Sequence, residues 1–306
     1  MTNKILVTGG SGLVGRALRL YLPNAIYASS YNYDLRDPGG VDALFVKHRP
    51  DHIIHLAGKV GGVGINLSHP VEFFEDNILI NTNVLREAHR HGVGRLVSCM
   101  STCVFPNDVE YPLQPDKIHL GEPHPTNFGY AYAKRMLEVQ TRAYRQQYNK
   151  EWFTAIPTNI YGPHDNFNLE SSHVIPALIH KCYIAKQTNT PWVIWGSGRA
   201  IREFVFVSDV ACVLANMITS YSNPEPLIIS TPHQCSIREV VRMISQCMEF
   251  DGEIIYDDTK PEGQYRKPSD ISPLRSFMPD FRHTSLETGI ELTVKWFTEN
   301  YESSRK

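Results

Sequence analysis

The feature that most restricts the fold is the run Thr8-Gly9-Gly10-Ser11-Gly12-Leu13-Val14-Gly15, set between an apolar stretch, Lys4 to Thr8, and a helical pattern beginning at Leu13. Glycines at 9, 12 and 15 allow a tight turn, close backbone approach to a pyrophosphate and close packing of helix on strand, with helix N–H groups aimed at the anion. Such a run by itself also occurs in plain turns. Between a first strand and a first helix it predicts a dinucleotide site, with Gly9, Gly10, Ser11, Gly12, Leu13, Val14 and Gly15 lining it. The G-x-x-G-x-x-G spacing differs from the G-x-G-x-x-G of the simplest dehydrogenases and points to a particular branch of the fold.

The chain then alternates β-branched runs with longer helical patterns. We expect a first helix over Leu13 to Leu22, a strand near Ala25 to Ala28, a helix over Pro38 to His48, a strand at His52 to Leu56 and a long helix within Pro70 to His91. A strand at Arg95 to Cys99, a helix over Tyr130 to Gln147 and a strand at Glu151 to Ile156 follow. Parallel strands need crossovers, so this rhythm predicts an α/β fold with a doubly wound parallel sheet of the Rossmann kind. After about Asn159 the texture shifts to loops with shorter elements at Trp192 to Trp195, Phe204 to Val207 and Leu227 to Ser230. The division expected is a cofactor domain over 1–158, taking back a segment near 203–220, and a smaller α/β substrate domain over 159–306. A last helix opens at a capping box of Thr284 with Glu287 and runs to about Tyr301, its apolar face set by Leu286, Ile290, Val294 and Phe297.

With 306 residues, 42% of them apolar, the chain needs no staples, and a formal net charge of −2 gives no single-sign field for coating a duplex or an anionic membrane. The ligand expected is small, with neither nucleic acid nor membrane as partner. No apolar run approaches the ~20 residues of a membrane helix and no signal-peptide core follows Met1, so the address expected is the cytoplasm. The six cysteines form no C-x-x-C pair, and Cys99 and Cys103 lack partners at metal-ligand spacing, so no metal is expected.

Where an acidic residue would grip the ribose of NAD, the chain reads Ala28-Ser29-Ser30-Tyr31-Asn32, with no acid before Asp34. That absence favours NADP, with Ser29 and Ser30 offering hydroxyls to a 2′-phosphate. It is also what an ordinary polar strand end looks like. In Tyr130-Ala131-Tyr132-Ala133-Lys134 the first and last residues share a helix face, so the Lys134 charge is expected to lower the Tyr130 pKa toward that of a usable proton donor.

The glycine run, Tyr130 with Lys134, and Ser101 at the end of a strand together resemble the extended branch of the short-chain dehydrogenase/reductase superfamily. Five further segments, in order, are similar to the GDP-L-fucose synthase family: Ser101 to Pro106, Pro157 to Phe167, Ser172 to Pro176, Trp195 to Gly198, and Arg202 to Phe204. The resemblance covers nearly the whole chain. It implies epimerisation of GDP-4-keto-6-deoxy-D-mannose at C3 and C5 followed by reduction of the C4 ketone with NADPH. Protons at C3 and C5 are acidified by the C4 carbonyl, and inversion needs a base and an acid on opposite faces of the ring.

Carried onto this chain, the resemblance makes Cys103 the base, as a thiolate near neutral pH, and His173 the acid, whose imidazole titrates in the right range. Ser101 and Tyr130 hydrogen-bond the C4 oxygen and Lys134 holds the nicotinamide ribose. Cofactor contacts are implied at Ser30, Asp34, Leu35, Leu56, Ala57, Cys99, Met100, Ser101, Lys134, Pro157, Thr158, Asn159, Ile160 and His173. Substrate contacts are implied at Lys181, Trp195, Arg202 and Lys267. Read alone, Cys103 is equally a small buried hydrophobe, His173 equally a structural histidine, and each substrate residue equally a core aromatic or a solvated charge. The family forms homodimers, for which Leu137, Tyr144 and Tyr148 are candidates, though the same residues could pack on the sheet.

Two other functions compete. A 4-epimerase, dehydratase or plain 4-ketoreductase would share Tyr130 and Lys134 but would not need Cys103 with His173, and a dehydratase would carry an acid pair after the strand-end Ser and Thr, where Cys103 stands. A non-catalytic NADP-binding regulator would be free to lose Tyr130 or Lys134, and both are present.

Overall fold

The structure is a computed structural model that describes residues 3–260 and 265–306. The first half of the chain runs β1 (Ile5–Thr8), α1 (Leu13–Leu18), β2 (Ile26–Tyr27), α2 (Pro38–His48), β3 (His52–His55), α3 (Val63–Ser68), α4 (Pro70–Arg90), β4 (Arg95–Cys99), α5 (Phe128–Tyr148) and β5 (Glu151–Pro157). The second half runs β6 (Asn159–Tyr161), α6 (Val174–Thr188), β7 (Trp192–Trp195), β8 (Ile201–Arg202), β9 (Phe204–Phe206), α7 (Val207–Ser220) and β10 (Leu227–Ile229). It ends with β11 (Cys235–Ser236), α8 (Ile237–Met248), β12 (Ile254–Asp257), α9 (Ser272–Phe277) and α10 (Leu286–Glu299).

Six strands hydrogen-bond in the order β10-β5-β4-β3-β1-β2, every neighbouring pair parallel. Apart from the half-buried edge strand β2, the strands are buried on both faces, and successive side chains serve opposite sides, as the period of two requires. Leu6, Ile53, Leu96, Trp152 and Ile228 join the cluster under α2, α4 and α5. Their neighbours Val7, Ile54, Val97, Phe153 and Ile229 join the cluster under α1, α7 and α9. The sheet is therefore doubly wound, as the rhythm of the sequence predicts. A third cluster is built by α6, α8 and α10 around Trp192 and Ile194 of β7, with β12 paired parallel to β7. β9 serves two clusters at once: Val205 faces the sheet, and Phe204 and Phe206 face the third core.

Several boundaries differ from expectation. The first helix ends at Leu18, not Leu22, and the chain leaves it through a turn. α3 was not foreseen; the glycine pair Gly61-Gly62 ahead of it obscures any helical period. The last helix is capped by Ser285, whose side chain accepts from the Thr288 N–H, rather than by Thr284, because Thr284 spends both its N–H and its hydroxyl on the carboxylate of Asp209, each at 2.8 Å. That helix stops at Glu299. No helix among the described residues is long and apolar enough to cross a membrane.

Candidate active site

From β1 the chain goes to β2 on one side of the sheet and returns to β3 on the other, so a crevice opens beyond the carboxyl ends of β1 and β3. The glycine loop closes its floor. Gly9 holds φ at +70°, and a Cβ there would stand 2.9 Å from the amide nitrogen of Ala57. A Cβ on Gly15 would stand 2.5 Å from the Gly9 carbonyl oxygen. The loop is thus shaped by the absence of side chains, and no side chain caps the amides at the start of α1, behind Gly12. Ser11, Leu13 and Val14 complete it, with Leu56 and Ala57 hydrogen-bonded back to Thr8 from the neighbouring strand. The cradle fits a dinucleotide pyrophosphate.

Ser30 lies exposed just past the end of β2, and Leu35 is buried in the cluster under α2. Asp34 is engaged by Arg36 through both carboxylate oxygens, at 2.7 Å for the closest contact, which holds its pKa down at about 2. Arg36 also reaches Asp76 at 3.4 Å, so its guanidinium is already countered by two carboxylates, while the Arg19 guanidinium lies 4.1 Å over the ring of Tyr27 at the end of β2.

β4 ends at Cys99, and the backbone turns through Met100 and Ser101 into a single 3₁₀ turn over Thr102–Val104 that presents Cys103. α5 runs alongside. Its i, i+4 spacing brings Tyr130 and Lys134 to one face, the Lys134 ammonium 5.8 Å from the Tyr130 ring centre. Lys134 is buried, donates to the Cys99 carbonyl at 3.0 Å and lies beside Gly58, where a Cβ would come within 3.3 Å of its Nζ.

The expected lowering of the Tyr130 pKa is not what this geometry produces. Burial, followed by the nearby sulfurs of Cys103 and Cys99, raises it well above 10. The Lys134 amine is drawn past the phenol to the Cys99 carbonyl, and its own pKa is lowered by burial. Cys103 likewise departs from the thiolate expected near neutral pH. Burial raises it, while the Ser101 hydroxyl, Lys267 and Lys134 pull the other way. Cys99 is pushed up to about 11 by burial.

His173 is the N-terminal residue flanking α6, solvent-accessible yet crowded by protein, so its pKa is lowered by burial. The Ser171-Ser172 turn ahead of it is tied to the sheet side: the Gly62 amide donates to the Ser171 carbonyl at 3.0 Å. Phe73, below Gly61, meets the Tyr130 ring edge-on at 6.3 Å. His164, the other histidine of that region, packs on Trp296 and lies in a left-handed turn at φ +69°.

The opposite side of the cleft starts at Pro157, Thr158, Asn159 and Ile160. Thr158 donates its N–H to Ile229, and Asn159 gives its N–H and side-chain amide to the Glu203 carbonyl. Glu203 is the organiser sequence reasoning missed. Buried, its carboxylate accepts from Ser230 at 2.8 Å, Gln234 at 3.3 Å and the Ser269 amide at 3.0 Å. Lys267 therefore stands two residues from a fixed point, and its Nζ donates to the Thr102 carbonyl at 2.8 Å. Arg202 donates to the Ile201 and Tyr265 carbonyls and lies close enough to lower the pKa of Lys267, which burial first brings down to about 8. Of the run in which Lys267 was noticed, Glu262, Gly263 and Gln264 lie outside the described residues.

Trp195, 56% exposed, carries Lys181 at 4.4 Å and Lys260 at 5.9 Å over its ring. Lys260 was also missed; only the register of β12 on β7, which sets Asp257 opposite Trp195, brings it there. Among the described residues one group, Asp42, Glu87 and His91, brings three possible metal ligands within 4.8 Å. Arg90 already sits on both its carboxylates at 3.0 Å, and none of the cleft residues belongs to it.

A family model described as the NAD dependent epimerase/dehydratase family matches residues 5–230. Over 99% of the chain and 97% of the relative, it is 42% identical to a GDP-L-fucose synthase of Dictyostelium discoideum, and over 99% of both chains 40% identical to a probable GDP-L-fucose synthase of Drosophila melanogaster. The chain belongs to the GDP-L-fucose synthase family. A crystal structure of a GDP-L-fucose synthetase from Naegleria fowleri bound to NADP superimposes with a TM-score of 0.94 at 40% identity, covering 100% of this chain and 96% of the other.

As a member of the GDP-L-fucose synthase family, the chain brings Ser101, Cys103, Tyr130, Lys134 and Lys267 into one enclosed group, and sets Lys181 and Trp195 in a second. The expected dimer residues fare differently. Leu137 is buried in the cluster under the sheet and the Tyr144 ring lies tilted on Trp152 at 4.8 Å, while Tyr148, tilted on His89, stays exposed. Besides Tyr148, the apolar side chains these two helices leave open are Val71, Phe74 and Leu79 on α4 and Phe128 and Met136 on α5.

Proposed function

We propose that this chain converts GDP-4-keto-6-deoxy-D-mannose to GDP-L-fucose, epimerising C3 and C5 and reducing C4 with NADPH. The observation that carries the reading is the enclosure of a thiol, a serine hydroxyl, a phenol and an ammonium at the end of β4, next to the glycine cradle. NADPH, when bound, supplies the hydride delivered to C4. The glycine loop from Gly9 to Gly15 holds its pyrophosphate, and Lys134, fixed beside Gly58, reaches its nicotinamide ribose.

Ser101 and Tyr130 donate hydrogen bonds to the C4 oxygen. A phenol held well above pKa 10 stays protonated at neutral pH, so it serves as a donor to the enolate oxygen in each epimerisation and yields its proton as the alkoxide forms in reduction. Cys103 removes the proton from C3 or C5, the C–H electrons passing to the C4 oxygen, and His173 returns a proton on the other face. Burial raises Cys103 and lowers His173, so the pair with thiolate and imidazolium together is a minor form at every pH, and epimerisation follows a bell between the two.

Arg202 holds the diphosphate, and Trp195 with Lys181 the nucleoside end. Residues 1–158, with 203–220 returned against the sheet, carry the cofactor, and 159–306 the sugar nucleotide. The chain works in the cytoplasm as a homodimer through the open faces of α4 and α5, with a small GDP-sugar rather than a nucleic acid as its other partner.

The test is incubation with GDP-4-keto-6-deoxy-D-mannose and NADPH in heavy water, with the product read by NMR. GDP-L-fucose deuterated at C3 and C5 with unlabelled hydride at C4 is the expected result. Reduced but unepimerised sugar would leave a 4-ketoreductase, and no turnover with NADPH or NADH would overturn the reading.

A further inference from the structure

Lys267 reads most simply as a contact for the substrate diphosphate, yet its geometry serves another residue. Its Nζ donates to the carbonyl of Thr102, the residue immediately before Cys103, at 2.8 Å. The strand of chain that delivers it is pinned on both sides of the cleft. The Leu113 amide donates to Pro268 at 2.8 Å, the Asp270 amide to Leu113 at 3.0 Å, and the Ser269 amide to the buried Glu203 carboxylate. Ile201 donates to Tyr265 at 2.8 Å from the far side. A lysine on so fixed a strap, bonded to the turn that carries the thiol, has little freedom to follow a mobile phosphate.

The thiol faces several charged or ionisable groups: Lys134, Tyr130 and Arg135 from α5, Ser101 from its own turn, and Lys267 from the strap. Lys134 is committed to the Cys99 carbonyl, and Arg135 donates to the Val104 and Gly121 carbonyls at 2.6 and 2.7 Å. Arg202 faces Lys267 rather than Cys103. Two of the cations are bonded to the sulfur's neighbours in the turn, Arg135 to Val104 after it and Lys267 to Thr102 before it, and of those two Lys267 is the one whose charge favours the thiolate.

We propose that Lys267 is a positioning residue for the Cys103 base, holding the turn that presents the sulfur and supplying the counter-charge for the thiolate. Ionisation releases the thiol proton to solvent. The sulfur lone pair then takes the sugar C–H proton, leaving a neutral thiol beside the lysine and an enolate on the Ser101 and Tyr130 side. The proposal rests on the reading of Cys103 as the epimerising base, but its first readout needs no substrate.

The experiment is the pH dependence of Cys103 alkylation by iodoacetamide in the ligand-free full chain, followed by mass spectrometry of the Cys103 peptide, with the exposed Cys247 as internal control. Wild type is compared with Lys267→Gln, which keeps an N–H donor for Thr102 but no charge, with Lys267→Met, and with Lys267→Arg. Removing an opposite charge from beside a titrating group moves its titration by about one pH unit or more. The neutral variants are therefore expected to label Cys103 with a midpoint about one pH unit higher, and roughly tenfold more slowly at fixed pH below it, while Lys267→Arg keeps the wild-type profile. Having two neutral variants keeps the result readable if one fails to fold. Superimposable Cys103 profiles in wild type and the neutral variants, with only the KM for the GDP-sugar raised, would overturn the proposal and leave Lys267 a phosphate contact. Failure of wild type to turn over GDP-4-keto-6-deoxy-D-mannose would instead count against the catalytic reading, and the alkylation profile would still decide the charge.

Discussion

Ser101, Cys103, Tyr130 and Lys134 come from the end of β4, the turn after it and α5, whereas Lys181 of α6, Trp195 of β7, Arg202 of β8 and Lys260 beyond β12 meet their partners only through long-range packing, and Lys267, from the same connection as Lys260, reaches across to the first group. In the first group, backbone geometry fixes the side chains: a strand end, one 3₁₀ turn and the i, i+4 face of α5. In the second, the positions depend on Glu203, on the register of β12 against β7, and on the strap around Pro268. Local construction places atoms closely enough for chemistry. Assembly from a distance produces a surface that binds, and its contributions divide among many partners.

If that contrast holds, the largest effects belong to the first group. Cys103→Ser is expected to slow deuterium exchange at C3 and C5 by about 10²–10⁴-fold, the range for loss of a general base. The 4-keto sugar is then still open to direct reduction, so NMR of the product separates the two steps. Undiminished exchange would break the assignment of the base.

Tyr130→Phe comes next. Loss of one preorganised donor to a developing oxyanion costs about 10²–10³ in turnover, and here both the enolates and the alkoxide lose it. Exchange and NADPH oxidation should fall together. A variant that lost reduction alone would show that the enolates lean on Ser101 instead.

The same contrast explains what the sequence disclosed. The glycine run, the Tyr130-Lys134 spacing and the strands at His52 and Arg95 are local signals, readable because neighbours in sequence are neighbours in space. The pKa directions at Tyr130 and Cys103 were not legible, since they depend on burial and on where the Lys134 amine finds its acceptor. Nor was Glu203: nothing near it in sequence announces the bonds it takes from Ser230, Gln234 and Ser269. Thr284 misled as a helix cap for a similar reason, because its partner Asp209 lies on α7.

A smaller effect tests the loop that leads to His173. Asp165 is buried, with one carboxylate oxygen accepting from the Asn166 amide at 2.7 Å and the other without a partner. Burial raises its pKa from 3.8 to about 7, opposed by the Asn166 hydrogen bond and Arg305. The fold therefore holds this proton more tightly than the unfolded chain does. The contribution to stability is complete below about pH 4 and is lost as pH rises through about 7, at 1.36 kcal/mol per pH unit, up to about 4 kcal/mol. Denaturant unfolding at about pH 5 and pH 8 should show wild type weakening with pH and Asp165→Asn weakening less. Equal slopes would mean that the loop opens to water.

The smallest change belongs to the assembled group. Lys260 stands 5.9 Å from the Trp195 ring centre at the outer edge of a pair in which Lys181, at 4.4 Å, is the closer partner. A cation over an aromatic face contributes about 0.5–1 kcal/mol when exposed and about 2 when desolvated, and the closer, more enclosed Lys181 should carry more of it. Lys260→Gln is therefore expected to raise the KM for the GDP-sugar a few-fold, Lys181→Gln more, with kcat unchanged in both, because neither lysine lies near the C4 oxygen's donors. A fall in kcat without a change in KM would mean that this group acts on the transition state, and the division between a wall that reacts and a wall that binds would not survive it.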